Sequence, residues 1–148
     1  MMPSMKKIAR VALGTDHAGY PLKEVIKKHL LAQGIDVIDE GTFSEETVDY
    51  PPYIRKACAV VLEQHCLGVV FGGSGIGESI AANKVRGIRA ARCCTIEDAK
   101  LCRQHNDANV ISLGGRLLEP ELAKKMVDAF LVTDFEGGRH VKRIADLE

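Results

Sequence analysis

From residue 10 to residue 113 the chain alternates short apolar runs with longer amphipathic segments, and this alternation constrains its fold more than any other feature. The runs at 10–15, 35–39, 67–71, 88–93 and 110–113 have the length of strands. After the first, Pro21 sits where a helix accepts proline, and Leu22, Val25, Ile26 and Leu30 follow at helical spacing until Gln33-Gly34. A second helix is predicted from Tyr50-Pro51-Pro52 to about Gln64, and a third opens within 72–79 and passes Ala81, Ala82 and Lys84. Thr95 with Asp98 resembles a capping box and starts a helix over 95–104. Pro120 starts a long helix with Leu122, Met126, Val127, Phe130 and Leu131 on one face; Gly137-Gly138 breaks it, and a basic helix begins near Arg139. Strands joined through helices are parallel. The run 67–71 is apolar on both faces, as the middle of a parallel sheet requires. The pattern predicts one α/β domain over 1–148: a single open five-stranded parallel sheet with helices on both faces. Residues 1–6 are expected to be flexible and 139–148 to form the C-terminal basic helix. No internal repeat, low-complexity tract or linker divides the chain.

A chain of 148 residues is long enough to bury roughly 70% of its unfolded surface, so neither disulfides nor a metal is needed for stability. Lys and Arg number 20 against 20 Asp and Glu. That balance gives no electrostatic footprint for nucleic acid or an anionic membrane. With three Tyr, four Phe and no Trp there is little to stack on bases. The apolar runs are far shorter than the ~20 residues of a spanning helix. Arg10 interrupts the stretch behind the basic start, so no signal peptide is expected. The cysteines Cys58, Cys66, Cys93, Cys94 and Cys102 are odd in number and form no C-x-x-C, which points to reduced thiols in a cytoplasmic protein.

Ligands of open parallel sheets bind at the carboxyl ends of the strands. Three polar clusters fall there: Asp16-His17, the stretch GGSGIGES at 72–79, and the turn 114–116 that ends in Arg116. The glycine stretch exposes backbone N–H groups at a helix N-terminus, a geometry that binds anions. It fails the dinucleotide fingerprint, because Gly73, Gly75 and Gly77 are spaced G-x-G-x-G and the next strand ends in Arg92-Cys93-Cys94 rather than an acid. It fails as a P-loop because Glu78 stands where the lysine belongs. What remains is a set of donors, the Ser74 hydroxyl and one carboxylate. A base beside an oxyanion pocket is the equipment for moving a proton next to a carbonyl; the alternative is a packing turn with Glu78 as a solvated first-turn acid.

The other candidates divide similarly. Asp16 can meet a sugar hydroxyl and His17 a phosphate, or Asp16 caps the next helix and His17 is simply exposed. His105 can move protons while a sugar ring opens, or it merely ends its helix. Cys102 and His105 have metal-pair spacing, but two further ligands at diagnostic spacing are missing and no metal site is expected. Arg139 and Arg143, four apart, join Lys142 and His140 in a cationic end that suits a phosphate monoester or is a solvated basic helix. His29 and His65 read as structural.

Taken together, D-H-A-G at 16–19, G-G-S-G-I-G-E-S-I-A-A-N-K at 72–84, R-Q-H-N-D-A-N-V at 103–110 and G-G-R-H at 137–140 resemble the type B ribose-5-phosphate isomerases and their galactose-6-phosphate isomerase relatives. The likeness runs from Lys7 to Ile144. It implies a Rossmann-like three-layer αβα sandwich, a homodimer or dimer of dimers with shared active sites, and conversion of D-ribose 5-phosphate to D-ribulose 5-phosphate without cofactor or metal, through ring opening and an enediolate. By resemblance, Asp16 and His17 bind substrate, and Tyr50 and Pro51 line the site. Gly73, Gly75, Ile76 and Gly77 cradle the reacting end, with Ser74 in the anion hole. His105 opens the ring beside Asn106, and Arg116, Arg139 and Arg143, with His17, hold the phosphate. Many members place a catalytic cysteine where this chain has Gly72; another branch uses a later glutamate, matched by Glu78. Relatives handle other aldose phosphates of four to six carbons, which leaves those as alternatives. A non-catalytic nucleotide-binding module would need a motif that survives the tests above. A receiver domain would need an aspartate where the third strand runs into Gly72-Gly73.

Overall fold

The computed structural model describes residues 8–148, so the expectation for 1–6 lies outside the described residues. The elements are β1 (Arg10–Thr15), α1 (Tyr20–Ala32), β2 (Asp36–Asp39), α2 (Tyr50–Gln64), β3 (Leu67–Gly72), α3 (Ile76–Asn83), β4 (Ala90–Arg92), α4 (Ile96–Asn106), β5 (Val110–Gly114), α5 (Pro120–Val132) and α6 (His140–Ala145). The five strands form one parallel sheet in the order β2-β1-β3-β5-β4. Buried residues of α1, α4 and α5 pack with Val11, Leu13, Val69, Phe71, Ile111 and Leu113 on one face. Ile54, Ala57, Cys58 and Val61 of α2 and Ala82 of α3 cover Ala12, Val70 and Val110 on the other. This is the expected three-layer α/β sandwich. The strand order reverses between β1 and β3, which opens a crevice beyond their carboxyl ends.

Local chemistry explains most boundaries. Prolines occupy the first turns of α1, α2 and α5. Thr95 caps α4 by accepting a hydrogen bond from the Asp98 amide at 3.0 Å, while Asp98 accepts from the Cys94 amide at 3.0 Å. Two expectations need correction. The fourth strand is shorter than 88–93: Ile88 is buried in the second core, and the Asn83 side chain grips both the amide and the carbonyl of Ala90, where the ladder begins. The helix from Pro120 stops at Val132, before the glycines. Thr133 turns its hydroxyl onto the Ala129 carbonyl at 2.6 Å, and Arg103 takes the Thr133 carbonyl at 3.2 Å. The following segment is thereby drawn along α4.

Candidate functional site

The three polar clusters at the carboxyl ends meet. The Gly115 amide donates to the Gly72 carbonyl at 2.7 Å, and the Arg116 amide to the Gly73 carbonyl at 3.0 Å. Between β3 and α3, Gly75 adopts φ +80°, which a side chain would resist, and a Cβ there would meet the Leu113 backbone at 3.0 Å. The buried Ser112 hydroxyl donates to the Gly75 carbonyl at 2.7 Å. Arg92, whose position spoiled the dinucleotide reading, donates from Nε to the Ser74 carbonyl at 2.9 Å. Ser74 Oγ accepts from the Ile76 amide at 3.1 Å. The loop that leaves β3 is therefore braced from β4 and β5, and the first-turn amides of α3 have no helical acceptors.

Glu78 lies in the first turn of α3 and is only 4% exposed. That excludes the solvated-acid reading. A Cβ on Gly72 would fall on the Glu78 carboxylate, so the carboxylate occupies the volume a residue-72 side chain would claim. Burial pushes the Glu78 carboxyl above its ordinary value; the neighbouring Asp16 charge adds to this, while hydrogen bonds from its own backbone and that of Gly75 pull the other way. A carboxylate raised in this way holds a proton more firmly than an ordinary one.

Asp16, also buried, accepts from the Gly19 amide at 2.9 Å, so it does tether the start of α1 as its capping alternative requires. His17 accepts from the Val48 amide through Nδ1 at 3.2 Å, which fixes the ring against the loop before α2 and leaves the proton of the neutral ring on Nε2. Tyr50 brings its hydroxyl against Gly77: a Cβ there would lie 2.7 Å from it. Pro51 follows in the first turn of α2, Ile76 is exposed at the start of α3, and Arg116 is exposed with its side chain along Gly73. Lys23 escaped sequence reasoning. It is fully buried, pairs with Asp39 at 2.6 Å, and donates to the Thr42 carbonyl at 3.0 Å. Thr42 and Gly41 are clipped to Thr15 at the end of β1, so Lys23 anchors the approach to the site.

His105, Asn106, Arg139 and Arg143 form a second group elsewhere. α4 runs back from the carboxyl end of β4 and delivers His105 and Asn106 next to the start of β5. This is the amino edge, where an open cleft of about 750 Å³ is bordered by Asn106, Arg89 and Ala108, and another of about 800 Å³ by Arg10, Leu67 and Asn109. His105 stacks on His140 with ring centroids 4.6 Å apart, and its Nε2 is 3.7 Å from Glu136 Oε1. Arg139 precedes α6 and Arg143 lies within it, both exposed. His140 is corrected: it does not belong to the cationic surface but is 5% exposed and turned inward. Only the fold, which folds Gly137 and Gly138 through positive φ, brings His140 under α4.

Fold and site together define an open α/β protein that carries a buried carboxylate beside a glycine turn and lacks a nucleotide motif, a combination that suits the class of proton-transferring sugar-phosphate enzymes. A family model described as Ribose/Galactose Isomerase matches residues 11–147, and the chain belongs to that family. It is 49% identical over 141 residues to ribose-5-phosphate isomerase B of Escherichia coli K12, covering 95% of this chain and 93% of that one. A solved ribose 5-phosphate isomerase of Thermotoga maritima superposes with a TM-score of 0.92 at 48% identity, covering 94% of this chain and 97% of that one. The Mycoplasma genitalium ribose-5-phosphate isomerase B, solved with bound ribulose-5-phosphate, gives a TM-score of 0.88 at 36% identity and covers 93% of each chain.

Proposed function

We propose that this chain interconverts D-ribose 5-phosphate and D-ribulose 5-phosphate, with Glu78 as the base. The observation that carries the role of Glu78 is its burial beneath Gly72, against the glycine turn. The near-full-length likeness to isomerases of that name supports the substrate. His105 opens the sugar ring by moving a proton between the ring oxygen and the anomeric hydroxyl. Glu78 then takes the C2 proton of the open aldose. The charge that develops on O1 and O2 is met by amides of the turn from Gly73 to Gly77 and by Ser74. Glu78 returns its proton to C1, and the hydroxyl proton passes from O2 to O1, giving the ketose. Arg116, Arg139, Arg143 and His17 hold the phosphate.

The site is completed by a second copy of the chain, because one chain places Glu78 and His105 at opposite edges of its sheet. Exposed Ile76 and Ile80, one turn apart on α3 beside the loop, offer an apolar surface for that copy. The five cysteines are all free, which fits a cytoplasmic protein; among the described residues no helix is long and apolar enough to cross a membrane. The deciding experiment follows ketose formation from ribose 5-phosphate in buffer containing a chelator. Rapid conversion, lost in E78Q, is the expected result. An inert chain that gains thermal stability with ATP or NAD would instead revive a nucleotide-binding module, and preference for a four- or six-carbon aldose phosphate would move the substrate within the family.

A further inference from the structure

His140 presents a buried nitrogen with no partner. Its Nε2 reaches neither solvent nor any hydrogen-bonding group among the described residues. Buried polar atoms are nearly always paired, so an orphan on a ring that can ligate a cation requires an explanation. Two further donors lie near this nitrogen. Glu136 Oε1 lies 3.7 Å from it and also 3.7 Å from His105 Nε2, and the three atoms lie within 4.8 Å of one another. These separations are too long for hydrogen bonds. The two separations from Glu136 are close to the spacing of about 3.4 Å that ligands at ~2.1 Å from a tetrahedral ion adopt, while the widest separation in the group, within 4.8 Å, must shorten on binding.

The backbone builds this convergence. The Glu136 amide donates to the Gln104 carbonyl at 3.0 Å, tying Glu136 beside the end of α4. Gly137 and Gly138, both at positive φ, reverse the chain, and the His140 amide closes the turn on the Gly137 carbonyl at 3.2 Å. His140 stays within the fold while His105 and Glu136 are partly exposed, so their side chains can turn to close the widest gap by roughly an ångström on binding. Two imidazoles and one carboxylate are a donor set that suits zinc and cobalt and leaves a fourth position open.

We propose that His105, Glu136 and His140 form a binding site for a divalent cation of the zinc class, and that its occupancy blocks isomerisation by withdrawing His105 from the sugar. The site stands on geometry alone; its consequence for turnover rests on the role given above to His105. The guanidinium groups of Arg139 and Arg143 oppose a cation nearby, so binding is reversible by a chelator rather than permanent.

Titration of the whole protein with Co²⁺, followed by visible absorption, tests the site without reference to activity. One ion per chain with ligand-field bands, displaced by Zn²⁺, is expected. Because Cys102 lies three residues before His105 and Cys94 is exposed, a cobalt–thiolate charge-transfer band would assign the ion to cysteine and overturn the site. His140→Ala and Glu136→Gln should each weaken cobalt binding at least tenfold; Glu136 is half-exposed, so E136Q remains informative if removal of buried His140 impairs folding. Unchanged affinity in E136Q overturns the proposal. At full Zn²⁺ occupancy the wild-type rate with ribose 5-phosphate should fall tenfold or more and recover with chelator, and E136Q, read against its own metal-free rate, should need tenfold more Zn²⁺. Full occupancy without inhibition overturns the blocking role. A chain that never converts ribose 5-phosphate counts against the proposed function, while the cobalt spectra still decide the site.

Discussion

A carboxylate and an absent side chain share one volume at the end of β3. Glu78 is buried there because residue 72 is glycine, and a thiol at position 72 would take the place of that carboxylate. Glu78→Gln keeps the shape and removes the base, so turnover should fall by about 10² or more. Gly72→Ala makes a sharper test. The three atoms nearest its methyl all belong to the flexible end of Glu78, so the protein should remain folded while turnover falls with that of E78Q; normal turnover in G72A would separate Glu78 from the chemistry. Titration gives a third check. The Glu78 pKa is raised in the folded chain, so the folded state holds its proton to higher pH than the unfolded state does. Its contribution is fully present below the ordinary carboxylate pKa and is lost as pH rises through the folded value. Denaturation of wild type and E78Q at pH 4 and pH 7 should show the balance shifting toward E78Q at the higher pH. A difference independent of pH would mean that Glu78 pays no desolvation cost.

At the level of elements, α1 carries a charge through the core to hold a loop. Lys23 is buried against Asp39 and the Thr42 carbonyl, with Lys27 also 3.1 Å from Asp39. Lys23→Met should cost about 3 kcal/mol in urea unfolding, since it leaves Asp39 buried with a weaker partner; a loss below about 1 kcal/mol would show that Lys27 suffices. Spacing could not reveal this lysine, because a helical period places position 23 beside Leu22 without saying that β2 will deliver a carboxylate to it. The sequence was legible where the deciding chemistry is local: prolines opening three helices, Thr95 with Asp98, and the glycines after β3. It failed where a distant partner decides, as when Arg103 captures the Thr133 carbonyl and ends α5 early, or Asn83 delays β4. The glycine loop was legible as a tight turn opening a helix, but its bracing by Ser112 and Arg92 depends on strand order, which spacing does not encode.

For the whole molecule, the direction of α4 matters most. A helix that follows a strand in a parallel sheet returns to the amino edge, so a residue at its end cannot share a site with a loop at the carboxyl edge of the same sheet. His105 ends such a helix and Glu78 begins the one after β3. If both serve one substrate, they come from two chains. Glu78→Gln and His105→Ala homodimers should each be nearly inactive. Co-expressed, a mixed dimer holds one site with both lesions and one with neither, so each mixed dimer should recover up to about half the activity of the wild-type dimer. Separate tags on the two variants allow the mixed species to be purified and assayed alone. Recovery in that species, absent when the same homodimers are combined without exchange, places Glu78 and His105 of one site on different chains. A purified mixed dimer as inactive as its parents would mean that each site draws both residues from a single chain, and the opposing edges of the sheet would then have to be bridged by a movement of α4.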